Sequence, residues 1–240
     1  MSGTRIYGLD GCRAGWSVAW SDPNGGEVGW GVFYSAAETI FGPPEARMMA
    51  IDIPIGLPVT GARDCDIQAR RRLRNGKGIG RSASVFAAPL RPVLAARDYH
   101  EAGCIRQGID GKKMSKQAWL ITPKIRELDD LLRHTPELQN RVHEAHPELC
   151  FAEMNGGRPL QFGKKRPEGF AERFTLLKDR YGQAVESALL ARKGQGCTPD
   201  DVLDAFAVLW TAGRILRGEA YTLPAEPQVD AYGLRMEMVV

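Results

Sequence analysis

An α/β fold is predicted, built on a mixed sheet of three antiparallel strands followed by parallel ones and flanked by helices. Three observations predict it. The first third of the chain holds three runs rich in β-branched and aromatic residues, joined by turns of four and five residues. A continuous apolar run then follows a short helical stretch, and the rest of the chain reads mainly as helix.

Residues 5–10 (RIYGLD), 15–21 (GWSVAWS) and 27–34 (EVGWGVFY) are the three strand-like runs. Connections as short as Gly11-Cys12-Arg13-Ala14 and Asp22-Pro23-Asn24-Gly25-Gly26 permit only an antiparallel meander. Residues 35–41 read as a short helix ended by Gly42-Pro43-Pro44, and 47–53 (RMMAIDI) as a strand buried on both faces. A strand reached through a helix can lie parallel to the first by a right-handed crossover.

Residues 64–74 predict a basic helix, with Asp64 and Asp66 in the first turn where the helix dipole favours acids. The stretch 76–92 reads as loop. Helical spacing returns over 115–133, with a break or kink expected at Pro123. A strand over 141–146 precedes a helix opened by Pro147, and 169–192 gives one or two helices. Residues 198–216 carry the clearest helix: Thr198 is placed to cap it, Pro199 starts it, and Asp201 completes a capping box. The tail 232–240 predicts a last strand. The 240 residues are expected to form one domain, 1–240, with a helical insertion over roughly 60–135.

Composition excludes several classes. With 43% hydrophobic residues and net charge +3, the chain resembles ordinary globular proteins. Five scattered cysteines without a C-x-x-C pair support neither a disulfide framework nor a zinc ribbon. The start MSGTRIYGLD, without a charged region followed by a long apolar run, is not expected to act as a signal peptide, and no apolar run is long enough to span a membrane. A cytoplasmic location is therefore expected. Residues 63–81 carry seven basic against two acidic side chains, and further basic groups cluster at Lys112, Lys113 and Lys116 and at Lys164, Lys165 and Arg166. Such clusters serve either as solvated faces or as contacts to a polyanion, with phosphates as the expected anionic groups.

Four carboxylates sit among apolar neighbours. Asp10 ends the first strand and Asp52 nearly ends the fourth. As parallel neighbours, these strands would bring both acids to adjoining carboxyl ends, about 5 Å apart, where open sheets bind ligands at a change of topology. Two desolvated carboxylates repel, and a divalent cation is the usual remedy. Asp204 falls in a segment, 202–216, with eleven apolar residues of fifteen. A helix so apolar is packed nearly all round, and a buried acid there needs a basic partner or a metal. Glu148 opens the helix after the fifth strand; Glu144 could reach the same place instead, as Asp201 could in place of Asp204. His146 is read as a turn-holding residue. The glycines at 76, 78 and 80 could offer backbone N–H groups to phosphate. Walker, nucleophile-elbow and H-E-x-x-H patterns are absent, and Cys12 has no histidine to activate it.

Together, several segments resemble domain-of-unknown-function family 429, described as ribonuclease-H-like nucleases. They are Gly8-Leu9-Asp10-Gly11-Cys12-Arg13-Ala14-Gly15-Trp16, Ile51-Asp52-Ile53-Pro54-Ile55-Gly56-Leu57-Pro58, Arg63-Asp64-Cys65-Asp66 with Ala69-Arg70, Ser84-Val85-Phe86-Ala87-Ala88-Pro89 with Arg91, Ser115-Lys116-Gln117-Ala118-Trp119, Glu144-Ala145-His146-Pro147-Glu148, and Asp200-Asp201-Val202-Leu203-Asp204-Ala205. Ala83 stands where the family pattern has a serine. The resemblance implies a ribonuclease-H-like sheet whose acids hold one or two magnesium ions, and Asp10, Asp52 and Asp204 fit those stations.

The leading expectation is a metal-dependent nuclease that hydrolyses phosphodiesters of RNA or DNA with Mg²⁺ or Mn²⁺. Asp10, Asp52, Glu148 and Asp204 would be its catalytic and metal-binding acids. Arg13, Arg70, Arg74, Arg81, Ser84 and Lys116 would bind substrate. Two other readings stay open: a nucleic-acid or anion-binding module without turnover, and an ATP-using enzyme with an actin-like core.

Overall fold

The computed structural model describes residues 4–74 and 80–240. The glycine-rich stretch expected to cradle phosphate thus lies, apart from Gly80, outside the described residues.

The antiparallel meander forms as β1 (Arg5–Cys12), β2 (Gly15–Ser21) and β3 (Val28–Phe33). After α1 (Ala36–Phe41), capped by Ser35 on the Glu38 N–H, comes β4 (Ala46–Ile51), which pairs parallel to β1 with Leu9 opposite Ile51. Then β5 (Val142–Glu144) pairs parallel to β4, giving the five-stranded mixed order β3-β2-β1-β4-β5. β5 has three residues rather than the predicted six, because His146 turns out of the strand to cap the next helix.

Between β4 and β5 lie α2 (Asp64–Arg72), α3 (Tyr99–Asp110) and α4 (Lys116–His134). α4 runs through Pro123 as one helix, so of the break or kink expected there the break does not occur. The proline removes one backbone bond, to the carbonyl four residues back. Ala118 and Thr122 before it, and Ile125, Leu128 and Leu132 after it, keep the helix seated in the core.

After β5 come α5 (Pro147–Met154), α6 (Pro167–Tyr181), α7 (Gln183–Ala191) and α8 (Pro199–Leu216). The capping box of α8 is present: the Asp201 N–H donates to Thr198 Oγ1 at 3.3 Å, and the Thr198 N–H to Asp201 Oδ2 at 2.7 Å. The chain ends in a separate hairpin of β6 (Thr222–Val229) and β7 (Arg235–Val239).

Period-two alternation along β1 divides the core in two. Ile6 joins Ala19, Ala50 and the apolar residues of α5–α8 on one face, while Tyr7 and Leu9 join Trp16, Val18, Met49 and the buried side of α4 on the other. Gly8 lies on the α8 face. A Cβ there would stand 2.2 Å from Leu209 N and 2.3 Å from Ala205 O, so only glycine lets the α8 backbone rest on β1. Among the described residues no helix is long and apolar enough to cross a membrane.

Candidate active site

Three parts of the fold deliver carboxylates to one place. Gly8 and Asp10 lie two residues apart on β1 and hence on the same face, and Ala205 presses on Gly8, so the preceding Asp204 comes to rest beside Asp10. Asp52 follows β4 directly and donates its backbone N–H to Leu9 O at 2.9 Å. The Asp10 and Asp52 carboxyls interact directly, each changing the other's affinity for a proton.

Burial and mutual repulsion dominate the electrostatics. Desolvation lifts the Asp10 carboxyl well above the usual carboxylate range, Asp204 and then Asp52 push it further, and the Lys164 ammonium opposes them. Asp52 is also raised, again first by burial, with His146 and Lys164 pulling back. Asp204, 3% exposed, is neutralised directly: Lys164 Nζ donates to its Oδ2 at 2.7 Å.

A cleft of about 210 Å³ opens beside Asp10 and Asp52, lined with them by His146, Lys164 and Asp201 on one side; Asp204 is not in the lining and meets it through its bond to Lys164. Val85 and Phe86, together with Gln117, Ile121 and Lys124 of α4, form the facing wall. Lys124 is fixed in place, donating to Gly15 O at 2.6 Å and lying over the Trp16 ring. Arg63 and Glu144 line the cleft as well; Arg63 grips Glu144 through two nitrogens at 2.7 and 2.8 Å and Asp66 at 2.6 Å, and donates to Ile55 O. Glu144 further accepts the Ile55 N–H. Both its oxygens are thus engaged in holding the strand-to-helix loop that follows Asp52.

Glu148 is turned elsewhere. It does not line the cleft; its Oε1 accepts from Arg173 Nη2 at 2.5 Å. His146 holds the turn, as expected, by accepting the Glu148 N–H at Nδ1, 3.2 Å away. Of the residues expected to bind substrate, Lys116 is exposed next to the cleft-lining Gln117, and Arg70 reaches the rim by donating to Val85 O at 2.8 Å. Arg74 is exposed at the end of α2, and the Ser84 hydroxyl donates to Arg81 O within its own turn. Arg13 lies outside this cleft, in a second groove with Tyr34 and Gly194–Gly196. Arg63, counted in the basic stretch, is only 1% exposed and its charge is matched by Glu144 and Asp66. Lys164 and Lys124 were missed as site residues. The first reads in the sequence as one member of a basic run, and nothing in the sequence singles out the second.

Among the described residues no group of three or more His, Cys, Asp or Glu side chains stands arranged to hold a metal ion. The donor chemistry nevertheless fits a hard divalent cation: the carboxylates of Asp10 on β1, Asp52 just after β4 and Asp204 on α8 come together, and burial with mutual charge raises those of Asp10 and Asp52. One ammonium offsets only part of that charge.

The chain belongs to the family described as "Protein of unknown function (DUF429)", which it matches over residues 8–229. No curated protein and no solved structure shows a significant match to it.

Proposed function

We propose that this chain is a ribonuclease-H-like, divalent-metal-dependent phosphodiesterase acting on nucleic acid. The convergence of Asp10, Asp52 and Asp204 at the carboxyl ends of β1 and β4 carries this reading. β1 has an antiparallel neighbour on one side and a parallel one on the other. Such a change of topology is where open sheets place their ligands.

Asp10, Asp52 and Asp204 would hold Mg²⁺ or Mn²⁺. Bound there, the ion would acidify a water and stabilise negative charge on the phosphodiester. The chain's own groups supply the rest. Lys124 would present a fixed ammonium on the facing wall, Lys116, next to the cleft-lining Gln117, and Arg70, bonded to the cleft-lining Val85, would take flanking phosphates, and Phe86 and Ile121 would exclude water from one side. A cleft of about 210 Å³, smaller than the roughly 300–1,000 Å³ of drug-sized pockets, suits one phosphodiester unit.

End-labelled single- and double-stranded RNA and DNA test the proposal, each incubated with Mn²⁺, Mg²⁺ or a chelator. The wild type should cut at least one of them only with metal, and Asp10→Asn, Asp52→Asn and Asp204→Asn should each lose about 10²–10³-fold in rate. Tight binding without cleavage would favour the non-catalytic module instead. Neither cutting nor any Mn²⁺-dependent rise in melting temperature would end the nuclease reading.

A further inference from the structure

Lys164 lies in the connection between α5 and α6, and the backbone around it is firmly held. Arg173 donates to Phe162 O at 3.2 Å and to Gly169 O at 2.8 Å, and the Phe162 N–H donates to Glu172 at 3.1 Å. Gly163 O accepts the Arg166 N–H at 2.9 Å, and Gly169 packs against Gly163 so closely that a Cβ would stand 2.1 Å from Gly163 O. Glu148, buried on Arg173, completes the clamp. From this base the lysine stem reaches Asp204, and its side chain remains 42% exposed while that of Asp204 is 4% exposed. The backbone is fixed, while the side chain itself is partly exposed.

Other cations of the cleft are committed elsewhere: Lys124 to Gly15 O, and Arg63 to Glu144 and Asp66. Lys164 is the cleft-lining ammonium bonded to a carboxylate of the cluster. A divalent ion on Asp204 would sit about 2.0–2.6 Å from its oxygen. An ammonium 2.7 Å from that same oxygen would then face a doubly charged neighbour within a few ångströms, in a site with little water to screen them.

We propose that Lys164 is a resident counter-cation that occupies Asp204 in the metal-free protein and is exchanged for the divalent ion, so that metal loading turns this lysine out into the cleft. The inference rests on the reading that the acid cluster takes a metal. It assigns the lysine a positioning role that a fixed structural ion pair would not have.

Isothermal titration of the full chain with Mn²⁺ alone tests it. Lys164→Gln, which removes the competing charge, should bind Mn²⁺ at least tenfold more tightly than the wild type, and Lys164→Arg should stay near the wild-type affinity. The wild type offers a second measurement that survives any folding defect in the variants. Acetylation of Lys164 by an amine-reactive reagent, followed by peptide mass, should quicken at saturating Mn²⁺. The proposal is overturned if Asp10-dependent Mn²⁺ binding is present but is equal or weaker in Lys164→Gln, or if acetylation is unchanged or slowed; the nuclease reading would survive that result. If neither the wild type nor Lys164→Gln binds Mn²⁺, the metal reading falls and this inference with it.

Discussion

At Asp10 the desolvation of the strand end and the charges of Asp204 and Asp52 all favour the protonated acid. The folded protein therefore holds that proton more tightly than the unfolded chain does. This contribution to stability is complete below the unfolded value of about 4 and is lost as pH rises through the folded one. Asp10→Asn removes the charge while keeping the shape. Without divalent ions it should melt at or above the wild type, with its advantage widening as pH rises from the ordinary carboxylate range to neutrality. Adding Mn²⁺ at neutral pH should raise the wild type and leave the variant where it was, because only a native state with its acids intact gains from the ion. Melts across pH, with and without Mn²⁺, decide the matter. A variant that melts far below the wild type at every pH would mark Asp10 as a structural acid. Asp10, Asp52 and Asp204 were legible in the sequence because each is an acid in an apolar run. Lys164 was not, since a lysine flanked by Lys165 and Arg166 looks like solvated charge until the fold brings Asp204 to it.

Elements were legible wherever local chemistry agreed with the final environment. The meander, β4 and capped α8 follow directly from alternation, apolar runs and the Thr198–Asp201 box. α3 was hidden by Gly103 and Gly108, and β6 by Pro224 and Pro227, prolines that a hairpin outside the main sheet can carry. Illegible too was the bolt between elements. Arg63, at the start of α2, binds Glu144 at the end of β5 across 81 residues of sequence and fixes the loop after Asp52 through Ile55 and Gly56. Arg63→Met should leave Glu144 and Asp66 buried with unmatched charge and cost about 3–5 kcal/mol, read as a lower denaturant midpoint. The metal-dependent thermal shift should weaken with it, since Asp52 rides on the loosened loop. An unchanged midpoint would show that the three side chains are not the bolt described.

On the scale of the whole molecule, the basic character of the 63–81 stretch divides once the fold is known. Arg63 is buried on Glu144 and Asp66, Arg72 pairs with Glu153, and Arg70 is tied to Val85 O, whereas Arg71 on α2, Arg74 just past its end and Lys116 at the start of α4 are exposed. Exposed charges of this kind change stability by less than about 0.5 kcal/mol, so their removal tests binding cleanly. The triple variant Arg71→Gln, Arg74→Gln, Lys116→Gln should melt within a degree or two of the wild type. Its affinity for single-stranded oligonucleotide should nevertheless fall, and most at low salt, where phosphate contacts dominate. Each lost contact should flatten the slope of log affinity against log salt by about 0.7. The measurement is a fluorescence-anisotropy titration at several salt concentrations, with Asp10→Asn as background so that no cleavage interferes. If affinity and slope are both unchanged, these three cations form only a solvated face. Nucleic acid would then have to enter along the rim held by Arg70, or along the second groove where Arg13 meets Tyr34.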